Sequence, residues 1–148
     1  MEFTTRQLSR DDVPAFTDLV RLFEQVFEMR DFSLPPQEHL ADVLKNEHFM
    51  AFVAEDRGGQ IVGGLTAYTL PQYYSVKPLG YVFDLAVRAD VQRRGIGRAL
   101  MEACNKECKR RGFEEVFVQA DADDGHALRF YEALKGNPEQ VVHFTYPL

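Results

Sequence analysis

Apolar side chains recur at Val13, Phe16, Val20, Phe23 and Phe27. Spacings of three and four place them on one stripe of a helix, and Ser9-Arg10-Asp11-Asp12 in front has the S-x-x-D form of a capping box. Phe3 to Leu8 reads as a short opening strand. Pro35-Pro36 introduces a second helix with Leu40, Val43 and Leu44, since a proline in the first turn forfeits no helical hydrogen bond. The period then shortens to two. Phe49 to Glu55 alternates apolar and small residues, Gly58-Gly59 supplies a hairpin turn, and Ile61 to Leu70 returns as the partner strand. Pro71 to Pro78 is a loop rich in tyrosine and proline. Gly80 to Val87 reads as a third central strand, with Tyr81, Phe83, Leu85 and Val87 on one face. A helix from about Gly97 to Arg111 carries Leu100, Ala103, Cys104 and Cys108. Lys109-Arg110-Arg111-Gly112 ends it, with cations at the negative pole and a glycine for the left-handed cap. Glu115 to Ala120 reads as a buried strand, Gly125 to Leu134 as a short helix, and Val141 to Tyr146 as a closing strand. The order predicts a mixed α/β (α+β) fold, a central sheet flanked by helices, in one domain over residues 1–148.

Composition removes several classes. No stretch has the length and apolarity of a membrane-crossing helix. The opening Met1-Glu2-Phe3-Thr4-Thr5-Arg6 lacks the apolar centre of a secretory signal, so a soluble cytoplasmic protein is expected. A formal charge of -6 is the wrong sign for tracking a phosphate backbone, which argues against nucleic acid, and favours cationic partners. Cys104 and Cys108 lie in one helical pattern, and His39, His48, His126 and His143 form no ligand-spaced motif. No metal site is expected, and the cysteines read as apolar filler in a reduced compartment.

Inside this acidic chain lies a local basic turn. Asp84-Leu85-Ala86-Val87 leads through Arg88-Ala89-Asp90-Val91 to Gln92-Arg93-Arg94-Gly95-Ile96-Gly97-Arg98-Ala99. Main-chain N–H groups at the start of the following helix have no helical acceptor and sit at its positive pole. Gly95 and Gly97 remove side chains where a ligand must approach the backbone. Arg93, Arg94 and Arg98 add cationic donors, and together these residues describe a pyrophosphate cradle. A P-loop is absent, and position 100 is leucine where a dinucleotide fingerprint needs its third glycine.

Gln92-Arg93-Arg94-Gly95-Ile96-Gly97 resembles the [Q/R]-x-x-G-x-[G/A] signature of the GCN5-related N-acetyltransferase (GNAT) superfamily, and the resemblance extends over nearly the whole chain. It implies the GNAT fold, with acetyl-CoA as cosubstrate. The pyrophosphate would lie on residues Gln92 to Ala99, and the pantetheine arm along Leu85, Ala86 and Val87 through a bulge. Phe130-Tyr131-Glu132-Ala133-Leu134 looks like the family's FYExL segment, which places Phe130 and Tyr131 at the cofactor, with Tyr131 aimed at the thioester sulfur. Tyr68-Thr69-Leu70-Pro71, Phe83-Asp84-Leu85-Ala86-Val87, Val118-Gln119-Ala120-Asp121 and Val142-His143-Phe144 resemble the type I aminoglycoside 3-N-acetyltransferases. Leu134-Lys135-Gly136 departs from them, where a leucine-glycine pair is usual.

On that resemblance the expected reaction is direct acetyl transfer in a ternary complex to a primary amine, the 3-amino group of an aminoglycoside antibiotic. Asp84 is the candidate to position the amine and accept its proton, the Val87 amide to hold the carbonyl oxygen, and Tyr131 to protonate the leaving thiolate. Asp121, Asp123, Asp124, Glu28 and Tyr74 are candidate acceptor contacts. His126 is a further candidate contact, and His143 a structural or dimer-edge residue. A homodimer is an expectation of the resemblance. Two other readings stay open: transfer to a polyamine, amino acid or peptide, and a non-catalytic acyl-CoA-binding module.

Overall fold

The computed structural model describes residues 1–148, which divide into two compact units, Met1–Val118 and Gln119–Leu148. The first contains β1 (Phe3–Gln7), α1 (Val13–Val26), α2 (Gln37–Lys45), β2 (Phe49–Asp56), β3 (Ile61–Leu70), β4 (Leu79–Val87), α3 (Ile96–Arg110) and β5 (Glu115–Val118). Its strands form one mixed sheet in the order β1-β2-β3-β4-β5, antiparallel except for the parallel β4–β5 pair. That parallel pair needs a crossover, and α3 supplies it.

Two adjacent glycines show how the layers stack. A Cβ on Gly64 would lie 2.1 Å from Leu19 Cδ1 of α1, whereas one on Gly63 would lie 3.0 Å from Ile96 Cγ2 of α3. Neighbouring residues of a strand face opposite ways, so α1 covers one face of the sheet and α3 the other. Coverage of both faces explains β2, where Phe49 through Ala54 are all buried rather than alternately so. On the α1 face, Phe16, Leu19, Leu22 and Phe23 pack with Leu40, Leu44, Phe49, Ala51 and Val53. Phe27, expected on that stripe, is exposed and stacks on Phe23 at a centroid distance of 5.6 Å. The Ser9–Asp12 box also differs from expectation. Asp12 is the residue before the helix, and its carboxylate accepts from the Ser9 N–H at 2.7 Å.

One irregularity reorders the chemistry-bearing strand. Thr66 pairs with Asp84 but Ala67 pairs with Val82, so Phe83 is an extra residue of β4 without a partner on β3. A bulge of this kind inverts the in–out alternation beyond it. Tyr81 pairs with Tyr68 on the α1 face, and Asp84 and Ala86 also face that way, opposite Thr66 and Gly64. Leu85 and Val87 turn to the α3 face, so the expected single face of Tyr81, Phe83, Leu85 and Val87 does not form.

The second unit holds α4 (Gly125–Ala133), which has no buried residue. Asp124 caps it by accepting from the Ala127 N–H at 3.1 Å. Residues 136–148 contain no helix or strand, so the closing strand expected over Val141 to Tyr146 is not among the elements of this second unit. No helix of the protein is long and apolar enough to cross a membrane.

Candidate active site

β4 is the spine of the site because it has a partner along only half of its outer side. β5 pairs with Leu79–Val82 and no further, while β3 follows β4 to Val87 on the inner side. The Arg88 N–H donates to the Val62 carbonyl at 2.8 Å. Antiparallel alternation then turns the N–H and C=O of Ala86 toward β3, and those of Leu85 and Val87 toward the open side. The Val87 amide is therefore exposed by the splay of β4 from β5, not by a bulge at Val87. The bulge lies four residues earlier, at Phe83.

At the end of this open edge the chain makes the basic turn. Gln92 Nε2 donates to the Val87 carbonyl at 3.1 Å and ties the turn to β4, so Gln92 has a structural task here. Arg93 and Gly95 both have positive φ, 62° and 84°. Left-handed residues at alternate positions bend the main chain sharply ahead of the helix, the kind of turn in which successive N–H groups line an anion-binding concavity. The Ala99 N–H makes the helical bond to the Gly95 carbonyl at 3.0 Å. The amides of Ile96, Gly97 and Arg98 precede it, and they have no acceptor within α3. A Cβ on Gly95 would meet nothing within 4 Å, so glycine is required there by the backbone angle rather than by space. Arg93 and Arg94 are exposed and form no salt bridge, whereas Arg98 pairs with Glu102 at 3.0 Å. Curled amides, the positive helix pole and two unpaired guanidinium groups fit a diphosphate.

Asp84 sits on the α1 face, half-buried, with no hydrogen bond or ion pair to its carboxylate. Desolvation alone holds its pKa above the ordinary carboxylate range. Around it on that face lie aromatic rings that pattern reading had not grouped. Phe83 meets Tyr68 and Tyr81 edge-on at 5.7 and 5.9 Å, and Tyr81 stacks on Phe117 at 4.7 Å. Phe83 is 55% exposed although it lies in a sheet strand. The bulge produces this panel, and no hydropathy period announces a bulge.

The remaining candidates fall in separate places. Tyr74 borders a cavity of about 740 Å³ with Glu47, His48, Thr69, Tyr73 and Arg111, at the sheet end where β4 begins and α3 stops. Asp84 is not among its lining residues. Glu28 follows α1 and is exposed with φ 50°. In the second unit, Asp121 and Asp123 are exposed, and Asp124 divides its carboxylate between the α4 cap and solvent. Tyr131 is half-buried on α4, with the Phe130 ring edge-on at 5.0 Å. Cys104 and Cys108 are buried on α3 and unbridged, and the hydrogen bond with the Cys108 side chain, together with burial, raises the Cys104 thiol above its usual range. No group of three His, Cys, Asp or Glu residues is placed to hold a metal ion.

Comparison with known proteins places this geometry. An aminoglycoside acetyltransferase from an uncultured soil metagenomic sample, solved with trehalose, superposes with a TM-score of 0.96 at 52% identity, covering 99% of this chain and 96% of that one. A structure of an aminoglycoside acetyltransferase with sisomicin superposes equally well at 51% identity. Among curated sequences, the ribosomal protein bS18-alanine N-acetyltransferase of Escherichia coli K12 is 26% identical over 144 residues, 97% of this chain and 87% of its own length. The family model described as the acetyltransferase (GNAT) family matches residues 15–136, a span that includes the splayed strand, the phosphate-fitting turn and α4, and the chain is a member of that family.

Proposed function

We propose that this acetyltransferase moves the acetyl group of acetyl-CoA onto the 3-amino group of an aminoglycoside, by direct transfer in a ternary complex. The observation that carries the reading is Asp84: an unpaired, half-buried carboxylate on the strand whose open edge leads into the amide nest. In this reading acetyl-CoA supplies the activated acyl group, with its diphosphate on the amides of residues 95 to 98 and on Arg93 and Arg94. The outward groups of Leu85 and Val87 pair with the pantetheine arm, and the Val87 N–H holds the thioester oxygen as charge develops there.

Proton bookkeeping assigns the side chains. The amine lone pair forms the C–N bond and the C–S bond breaks. The amine proton passes to Asp84, directly or through one water, and the thiolate takes a proton from Tyr131. A raised pKa makes Asp84 a stronger base than an exposed carboxylate. Its negative charge also favours the ammonium form of the acceptor, so orientation of the amine is part of its task. The exposed rings of Phe83 and Tyr68 offer flat apolar surface to sugar rings beside that carboxylate. Asp121, Asp123, Asp124 and Glu28 add a field that attracts a polycation. The enzyme would act in the cytoplasm, and resistance to the antibiotic would be the consequence.

A peptide amino terminus is the second reading, favoured by the likeness to the ribosomal-protein alanine acetyltransferase. Identity about twice as high to the aminoglycoside enzymes, over an equal share of the chain, supports the first. The test is thiol release from acetyl-CoA with sisomicin, spermidine and a peptide beginning with alanine, followed by fragmentation of each product. Fast release with sisomicin and the acetyl group on N-3 of the 2-deoxystreptamine ring is the expected result. Turnover only with the peptide would replace this reading with the second, and binding of acetyl-CoA without transfer to any amine would leave a non-catalytic module.

A further inference from the structure

The basic turn lies where β4 ends and α3 begins, and the cavity bordered by Tyr74 lies at the other end of both elements. Its volume of about 740 Å³ is that of an ordinary ligand pocket. All of its lining residues belong to Met1–Val118. Contacts between remote parts of the sequence build its walls. The Thr69 N–H donates to the His48 carbonyl at 2.8 Å, and Gln72 Nε2 donates to the Lys77 carbonyl at 2.8 Å and to Glu114 Oε2 at 3.1 Å.

The cavity is separate from the transfer site. Thr69 pairs with Gly80, where an added Cβ would lie 3.2 Å from Cys108 Sγ of α3. The Thr69 side chain is therefore on the α3 face of the sheet, opposite that of Tyr68 and Asp84. Arg111, also in the lining, follows the last residue of α3, a helix about 22 Å long with the basic turn at its far end.

Its unused groups define a ligand. Thr69 is 6% exposed and its Oγ1 makes no hydrogen bond within the protein, although a buried hydroxyl without a partner is costly. Arg111 is in no salt bridge, and its guanidinium carbon stands 5.0 Å from the Phe113 ring centroid. Hydroxyl and guanidinium are both donors that lack an acceptor oxygen, and guanidinium matches a carboxylate best. Glu47, the acid of the lining, is turned to water at 87% exposure, with His48 Nε2 3.7 Å from its Oε1. Opposite character comes from Tyr73 and Tyr74, whose rings meet edge-on at 4.5 Å, with Pro71 and Pro78 beside them in the lining.

We propose that this cavity binds a small organic carboxylate with a flat apolar body, the carboxylate on Arg111 and the Thr69 hydroxyl and the ring against Tyr73 and Tyr74. The site depends neither on acetyl-CoA nor on which amine accepts the acetyl group.

Indole-3-acetate is a suitable probe, because the chain has no tryptophan and indole fluorescence anisotropy then reports the ligand alone. Titration of the full chain should give saturable binding, at least ~10-fold tighter than that of indole-3-acetamide, which keeps the ring and loses the charge. Saturating coenzyme A should leave the probe bound. Thr69→Val and Arg111→Gln should each weaken binding by about 10-fold or more, with circular dichroism and coenzyme A affinity as in wild type. Absence of saturable binding overturns the proposal, and so does displacement by coenzyme A, which would put the probe in the cofactor site. Equal affinity for the amide removes the role of Arg111 and overturns it as well. Wild-type affinity in Thr69→Val does the same, since a hydroxyl that merely holds water would give that result.

Discussion

The two units of the chain differ sharply in what they bury. Every residue of the hydrophobic core, from Leu8 to Cys108, belongs to Met1–Val118, where α1 and α3 press on the two faces of one sheet. Gln119–Leu148 has no buried residue, one helix of nine residues and an exposed apolar tail. The first unit can stabilise itself. The second lacks a core of its own, although the proposed acid Tyr131 and the acidic loop belong to it.

The largest expected effect is chemical and leaves the core intact. Asp84→Asn should lower turnover by about 10²–10⁴-fold, the usual span for a lost general base. The same change should raise stability at neutral pH. Because burial raises the pKa of Asp84, the folded state holds its proton more tightly than the unfolded state. Stability linked to the group is therefore fully present below the unfolded pKa and lost as pH rises through the folded one. The asparagine variant escapes that loss, so its melting temperature should exceed that of wild type at pH 7 and converge with it in acid. Tyr131→Phe should cost about 10²-fold in turnover, if chemistry limits the rate.

Effects on stability come next. Gly64→Ala drives a methyl group into Leu19 on α1 and should destabilise the first unit by about 1–3 kcal/mol in urea melts. Asp124→Ala removes the α4 cap at a cost of about 1 kcal/mol, confined to that helix and visible as faster hydrogen exchange there. Asp124→Asn keeps a capping oxygen but not the charge. A rise in the acceptor KM with asparagine, and a weaker dependence of that KM on salt, would assign Asp124 an electrostatic share in binding. An unchanged KM leaves it only a cap.

The elements that periodicity dictates were legible before any coordinate. Ile61–Leu70 was placed to the residue, and α2, α3 and the loop of residues 71–78 to within one or two. The basic turn was equally plain, because glycine and arginine at fixed offsets have few uses. What escaped was whatever depends on counting across strands. A single extra residue at Phe83 decides that Asp84 and Ala86, rather than Leu85 and Val87, face α1, and pairing register is not written in a single strand. The Gln92 side chain ties the turn to the Val87 carbonyl, a contact that the spacing of the signature does not announce.

Calorimetric titration with coenzyme A and, in parallel, with pantetheine tests the central claim most directly, since the two ligands share the thiol arm and only the first has the diphosphate. Charge-assisted bonds to the nest are worth about 1.5–3 kcal/mol each, so pantetheine should bind at least ~10²-fold more weakly. Equal affinity for the two would place the binding energy elsewhere and contradict the phosphate-holding role of residues 93–98.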